Sequence, residues 1–186
     1  MPVLYSQFFI ADTRYVISID QITAIVPYVT LKVIPGLPDY AAGLLHYHGK
    51  SVPVIDLCQL FIGRPCGKKL STRIILVTLL TQKDKRLTLG LLVERATETF
   101  SAEEGAFVDP GMHNPELPFI GPVTNDLTGI ITMITPRNIF DKIDDALFTI
   151  ETFTTEELPA LDTEDGGTKT VDDDTPDTGN ITVMDK

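Results

Sequence analysis

The sequence is short of the parts from which enzymes and secreted scaffolds are usually built. Its 186 residues include two cysteines, Cys58 and Cys66, and three histidines, His46, His48 and His113. Two cysteines cannot make the disulfide framework of a small secreted domain, so free thiols in a reducing compartment are the simpler reading. The opening MPVLYSQFFI has no basic segment ahead of its apolar residues, and no secretory signal is expected. No apolar run reaches the roughly 18 residues of a membrane span. The longest candidate, RIILVTLL from Arg73 to Leu80, fits one buried strand. A soluble cytoplasmic protein with no membrane insertion is the expectation.

Catalytic and phosphate-binding motifs are missing as well. There is no G-x-G-x-x-G, no G-x-x-x-x-G-K-[ST], no H-E-x-x-H and no C-x-x-C, so no phosphate cradle or recurrent metal motif is signalled. Positive charge is also scarce. Residues 1–150 carry 15 acidic and 13 basic side chains, a net of −2, whereas residues 151–186 carry 11 and 2, a net of −9. The pI near 4.6 therefore describes mainly the tail. A near-neutral body gives no footprint for nucleic acid. Residues 149–186, with VDDD, DTPDTG and a Gly pair, read as an acidic, disordered extension.

What is present is strand texture: short runs rich in Val, Ile, Thr and Leu, punctuated by Gly, Pro and charge. Strands are expected over Leu4–Ala11, Tyr15–Ile19, Ile22–Pro27, Leu44–Tyr47, Ser51–Ile55, Arg73–Leu80, Leu87–Val93 with Ala96–Phe100, Phe119–Val123 and Leu127–Thr135. Pro53 cannot donate to a ladder, so its strand is expected at an edge or bulged. A polar turn is expected over Gln82–Arg86, a loop over Asp109–Pro118, and a helical N-cap at Ser101–Glu104. Asp56 is placed to cap a short helix, DLCQLF. Pro136–Ala146 forms the main helix, with Ile139, Phe140 and Ile143 as its apolar stripe.

A weak internal repeat relates Gly43–Phe61 to Gly121–Phe140, each running Gly, strand, polar turn, strand and an amphipathic turn ending in Phe. Arg14–Ile17 and Arg86–Leu89 form a second matched pair. The repeat suggests two similar lobes, and about five short strands per lobe would bury themselves best by curling into a barrel. The expected fold is all-β: two SH3-like five-stranded barrel lobes packed together, with a short C-terminal helix. Lobe one spans about 12–70. Lobe two spans about 71–148 and takes in the N-terminal strand. The domain as a whole is residues 1–148.

Each chemically suggestive residue has a plainer reading. His46 and His48 share a strand face and could share a metal with Cys58 or His113, but spacing does not require it. Cys58 lies among Leu57, Leu60 and Phe61 and reads as a packed thiol. Asp56 lacks a partner for acid–base work and reads as a cap. Arg64, Lys68, Lys69 and Arg73 make a small basic cluster, either a solvated connection or a steering patch for an acidic partner. No catalytic residue, metal or cofactor is expected.

The ordered set of motifs resembles the chemotaxis coupling proteins of the CheW type. The strongest segment is VIPGLPDYAAGLLHYHGKSVPVIDLCQLF, Val33 to Phe61, supported by the Phe8–Ile22 pattern, RIILV at Arg73–Val77 and GLLVE at Gly90–Glu94. The resemblance implies a non-enzymatic adaptor joining the regulatory domain of a chemotaxis-type histidine kinase to the cytoplasmic tip of methyl-accepting receptors, at membrane-associated arrays. It implies a protein-binding surface that includes Pro35, Gly43, His48, Gly49, Lys50, Pro53 and Asp56. The sequence departs from the family where His48 stands in place of an Arg before the Gly, and where Cys58 replaces a basic residue. Those departures open a second reading, a divergent paralogue that binds one partner and competes or inhibits in a pilus or surface-behaviour pathway. A third is a small ligand- or metal-binding barrel.

Overall fold

In the computed structural model, Ile74 to Val77 are buried in succession. A run buried on both faces belongs in a sheet interior, and RIILVTLL sits there. The structure describes residues 1–80, 86–111 and 118–147, with side chains described to residue 143. Its elements are β1 (Pro2–Ile10), β2 (Thr13–Ser18), β3 (Ile22–Pro27), β4 (Ala41–Tyr47), β5 (Lys50–Asp56), α1 (Leu57–Ile62), β6 (Arg73–Leu80), β7 (Arg86–Glu103), β8 (Ile120–Asp126), β9 (Gly129–Ile134) and α2 (Pro136–Leu147). Gln82–Lys85, most of the loop Asp109–Pro118, His113 and the acidic extension lie outside the described residues.

The expected pair of closed barrels is not the architecture. The strands make one open, mixed nine-stranded sheet in the order β3-β6-β7-β1-β2-β9-β8, with β4 and β5 branching from it through β7. Two short helices accompany the sheet, so the fold is mixed α/β rather than all-β. The reason lies in β7. Leu87–Val93 and Ala96–Phe100 are one strand of 18 residues. Its first half pairs antiparallel with β6 and parallel with β5. Its second half pairs antiparallel with β1, from Phe9↔Glu94 to Pro2↔Glu103. A strand shared in this way runs the two halves into one sheet instead of letting each close on itself.

The turn-over point is Arg95, at φ 49°, opposite a register shift between Gln7 and Phe9. An extra residue in one strand bends it and raises its twist. The Arg95 side chain holds the bend: it donates to the Ala11 carbonyl at 2.6 Å and lies 3.9 Å over the Phe9 ring. Ser101–Glu104 does not start a helix, because Ser101, Ala102 and Glu103 pair with Leu4, Val3 and Pro2. β5 is not an edge strand either. It pairs with β4 and β7, and the β7 ladder begins at Val54, one residue after Pro53.

The repeat is real as topology. β4–β5–α1 and β8–β9–α2 are each a bulged hairpin followed by a helix. The second strand of each hairpin runs parallel to another strand, β5 to β7 and β9 to β2. One buried core draws on both parts: Phe8 and Ile17, Val54 and Leu57, Ile74 to Val77, Leu91 to Val93, then Phe119, Ile134, Ile139 and Ile143. Ile139, Phe140 and Ile143 are buried, so the stripe on α2 faces the core. Rings connect the parts, with Tyr15 edge-on to Phe61 at 5.6 Å and Phe61 stacked on Phe119 at 4.5 Å.

Candidate protein-binding surface

Three of the candidate residues form the tip of the β4–β5 hairpin. Tyr47 and Lys50 are the last ladder pair, leaving His48 and Gly49 as a two-residue loop at φ 48° and 75°. Two left-handed residues match the twist of a tight hairpin. His48, Gly49 and Lys50 are exposed, and the His48 ring stands edge-on to Tyr47 at 4.3 Å. The tip thus presents an imidazole, an open backbone and an ammonium to solvent.

Pro35 is exposed in the turn that precedes β4, beside Gly36 at φ 84°. This segment is tied to β4 by two backbone hydrogen bonds, Lys32 N–H to the Leu44 carbonyl at 3.0 Å and Leu44 N–H to the Lys32 carbonyl at 2.8 Å. Gly43 makes that approach possible. It is buried at φ 133°, and a Cβ there would lie 2.6 Å from the Lys32 carbonyl oxygen. Gly43 therefore acts through backbone geometry. Val33, 73% exposed, lies on the same segment.

Pro53 is half-buried opposite Leu44. Asp56 is 5% exposed and points inward. Its Oδ1 accepts the Gln59 N–H at 3.0 Å, capping α1, and its Oδ2 accepts the Cys66 N–H at 2.9 Å. The carboxylate thus joins the start of the helix to the connection that follows it. Gly63, at φ 67°, closes α1, with its N–H on the Gln59 carbonyl.

The basic cluster around the connection is mostly committed to internal bonds. Arg64 donates to Glu94 at 3.1 Å, and Gly67 N–H donates to the same carboxylate at 2.7 Å. Burial pushes the Glu94 carboxyl up, but Arg64 and the Gly67 N–H outweigh it, and its pKa falls below the ordinary value. Arg73 donates to the Leu70 and Thr72 carbonyls. Lys68 lies 5.8 Å over the Tyr28 ring.

His46 and His48 are not drawn together with Cys58. Among the described residues the potential ligand group is Asp56, Cys58 and Cys66, all buried. The sequence carried no signal for this grouping, because nothing in a spacing of eight residues required a fold-back. It also hid an apolar edge at the other end of the sheet, where Ile120 and Ile130 of β8 and β9, Leu127 in their turn, and Val108 are exposed. Arg14 pins that hairpin with a two-pronged contact to Asp126, at 2.8 and 2.5 Å, and a bond to the Gly129 carbonyl at 3.0 Å.

A family model described as a CheW-like domain matches residues 5–144. The chain belongs to the CheW-like domain family. CheW-like domains are non-catalytic scaffolds, and residues 5–144 are such a domain. Among solved structures it is similar to the scaffolding protein TtCheW from Thermoanaerobacter tengcongensis, at 26% identity and a TM-score of 0.63. The match covers 73% of this chain and 85% of that one. No curated protein matches it. Within the CheW-like domain, the candidate residues divide into an exposed set, Pro35, His48, Gly49 and Lys50, the half-buried Pro53, and a buried pair, Gly43 and Asp56. Among the described residues, no helix is long and apolar enough to cross a membrane.

Proposed function

We propose that the chain is a non-catalytic adaptor in chemosensory signalling. It would join the regulatory domain of a chemotaxis-type histidine kinase to the cytoplasmic tip of methyl-accepting receptors, in the cytoplasm at membrane-associated arrays. The carrying observation is the CheW-like match over residues 5–144, supported by likeness to a protein described as a scaffold. Residues 1–148 are the working domain and 149–186 an acidic appendage. His48, Gly49, Lys50 and Pro35 are the proposed direct contacts. Pro53, Gly43 and Asp56 shape the surface from beneath.

His48 supports a second reading. It stands at the exposed tip where the family resemblance expects an Arg. A guanidinium is always charged and forks onto a carboxylate, whereas an imidazole near pH 7 does neither dependably. A paralogue that keeps one partner and loses the other would follow from that loss.

Analytical ultracentrifugation separates the two. The chain is mixed with a cognate kinase regulatory domain, and the receptor tip is then added. A 1:1 complex that grows on adding the tip is the expected result. A kinase complex that the tip disperses supports the one-partner paralogue. Failure to bind any cognate kinase or receptor tip overturns both readings.

A further inference from the structure

The buried pair Cys58 and Cys66 has no part in the adaptor reading. Cys58 is on α1 and fully buried, and Cys66, in the connection to β6, is 5% exposed. Their Sγ atoms are 2.6 Å apart, with the Cys66 thiol donating toward Cys58 and, at 3.4 Å, toward the Leu92 carbonyl. Two independent features hold them there. The Asp56 carboxylate ties the Cys66 N–H to the cap of the helix bearing Cys58. Glu94 ties Arg64 and Gly67, on either side of Cys66, to β7.

This geometry suits a sulfur–sulfur bond better than a metal. A disulfide is about 2.05 Å long, so roughly 0.5 Å of closure is needed. A tetrahedral zinc with bonds of about 2.3 Å would need the sulfurs roughly 3.8 Å apart. The remaining ligand, Asp56, already spends both oxygens on backbone N–H groups.

We propose that Cys58 and Cys66 are an oxidation site that closes to a reversible internal disulfide in the presence of hydrogen peroxide, stapling the connection 63–72 to α1. The Cys58 sulfur, as thiolate, attacks one peroxide oxygen and breaks the O–O bond, giving a sulfenic acid and hydroxide. The Cys66 sulfur then attacks the Cys58 sulfur and expels the sulfenic oxygen, which leaves as water with the Cys66 proton, while the hydroxide becomes the other water with the proton that Cys58 gave up. Two thiols and one peroxide yield one disulfide and two waters, and the two electrons pass from sulfur to oxygen. The Cys66 thiol donates toward the Cys58 sulfur, so the proton between them sits on Cys66 and Cys58 is the attacking sulfur; that hydrogen bond and burial also hold the Cys66 thiol above the ordinary range. Access comes when the exposed segment Gly63–Pro65 lifts, so the rate follows local opening. Peroxide is small enough to enter then.

The test uses the full chain, reduced, freed of reductant and exposed to hydrogen peroxide, then alkylated in denaturant. The expected product has lost about 2 Da and takes up no alkylating agent. Peptide mapping links Cys58 to Cys66, and dithiothreitol reverses the change. Tryptic cleavage after Lys68 and Lys69 in the folded oxidised chain slows roughly fivefold, since the staple suppresses local opening. In Cys66→Ser the 2 Da loss disappears and Cys58 instead gains oxygen. Two alkylatable thiols after treatment, sulfinic acid on one cysteine, only intermolecular dimers, or one equivalent of zinc protecting both thiols would each overturn the proposal.

Discussion

At the scale of single residues, Gly43 and Asp126 make opposite kinds of contribution. Gly43 acts by what it omits. Its φ of 133° and the Lys32 carbonyl 2.6 Å from a would-be Cβ leave no room for a side chain, and the obstacle is backbone. Gly43→Ala should cost about 2–3 kcal/mol from strain and forced separation, lowering the thermal midpoint by roughly 5–10 °C. Calorimetry checks it, and an unchanged midpoint would show that the 30–34 segment moves away freely. Asp126 acts by charge. Hydrogen bonds from Arg14 and Thr128 hold its carboxyl well below the usual range. A carboxyl depressed in the folded state stabilises above its unfolded pKa of about 3.9, and that stability is lost as pH falls through the folded value. The difference in midpoint between the wild type and Asp126→Asn should therefore be constant above about pH 5 and shrink steadily toward acid. A difference that stays flat to pH 2 would mean the ion pair is not its source.

At the scale of elements, α1 shows what local sequence can convey. Asp56 before an apolar turn and Gly63 after it mark a start and a stop, and the helix lies between them. The second bond of Asp56, to Cys66, was not legible, because it depends on where a ten-residue excursion returns. Asp56→Ala should thus cost more than the roughly 1 kcal/mol of an ordinary cap, about 2–4 kcal/mol, since two backbone donors lose their acceptor and the Cys66 one is buried. Urea unfolding measures the loss, and Asp56→Asn should recover part of it by keeping one of the two acceptor oxygens. A loss no larger than a cap alone would mean Cys66 finds another partner. The strand Arg73–Leu80 was legible for the converse reason: the seven apolar or neutral residues after Arg73 have few other places to go, whatever their neighbours. β7 was not. Arg95 takes a left-handed conformation that no local rule assigns to arginine, and Ser101–Glu104 resembles a helix start. Only β1, some ninety residues away in sequence, makes extended backbone the better choice there.

At the scale of the whole molecule, that same strand decides how stability is distributed. Similar hairpin-and-helix units invited the picture of two barrels, because a small sheet with free edges tends to close. The repeat was read correctly as a repeat, as was the family it belongs to. Closure was not, because β7 serves as a partner to β6 and β5 at one end and to β1 at the other. Opening either half exposes part of a strand on which the other half is built, and the core containing Phe8, Leu91 and Ile134 spans both. Unfolding should therefore be a single transition in which far-ultraviolet circular dichroism and tyrosine fluorescence coincide. Ile75 in β6 and Ile131 in β9 are both fully buried on opposite sides of β7 in the strand order. Ile75→Ala and Ile131→Ala should each cost about 2–5 kcal/mol and shift that one transition as a whole. Two resolved transitions, with each substitution moving only its own, would mean that the halves fold independently and that the shared strand carries no coupling between them.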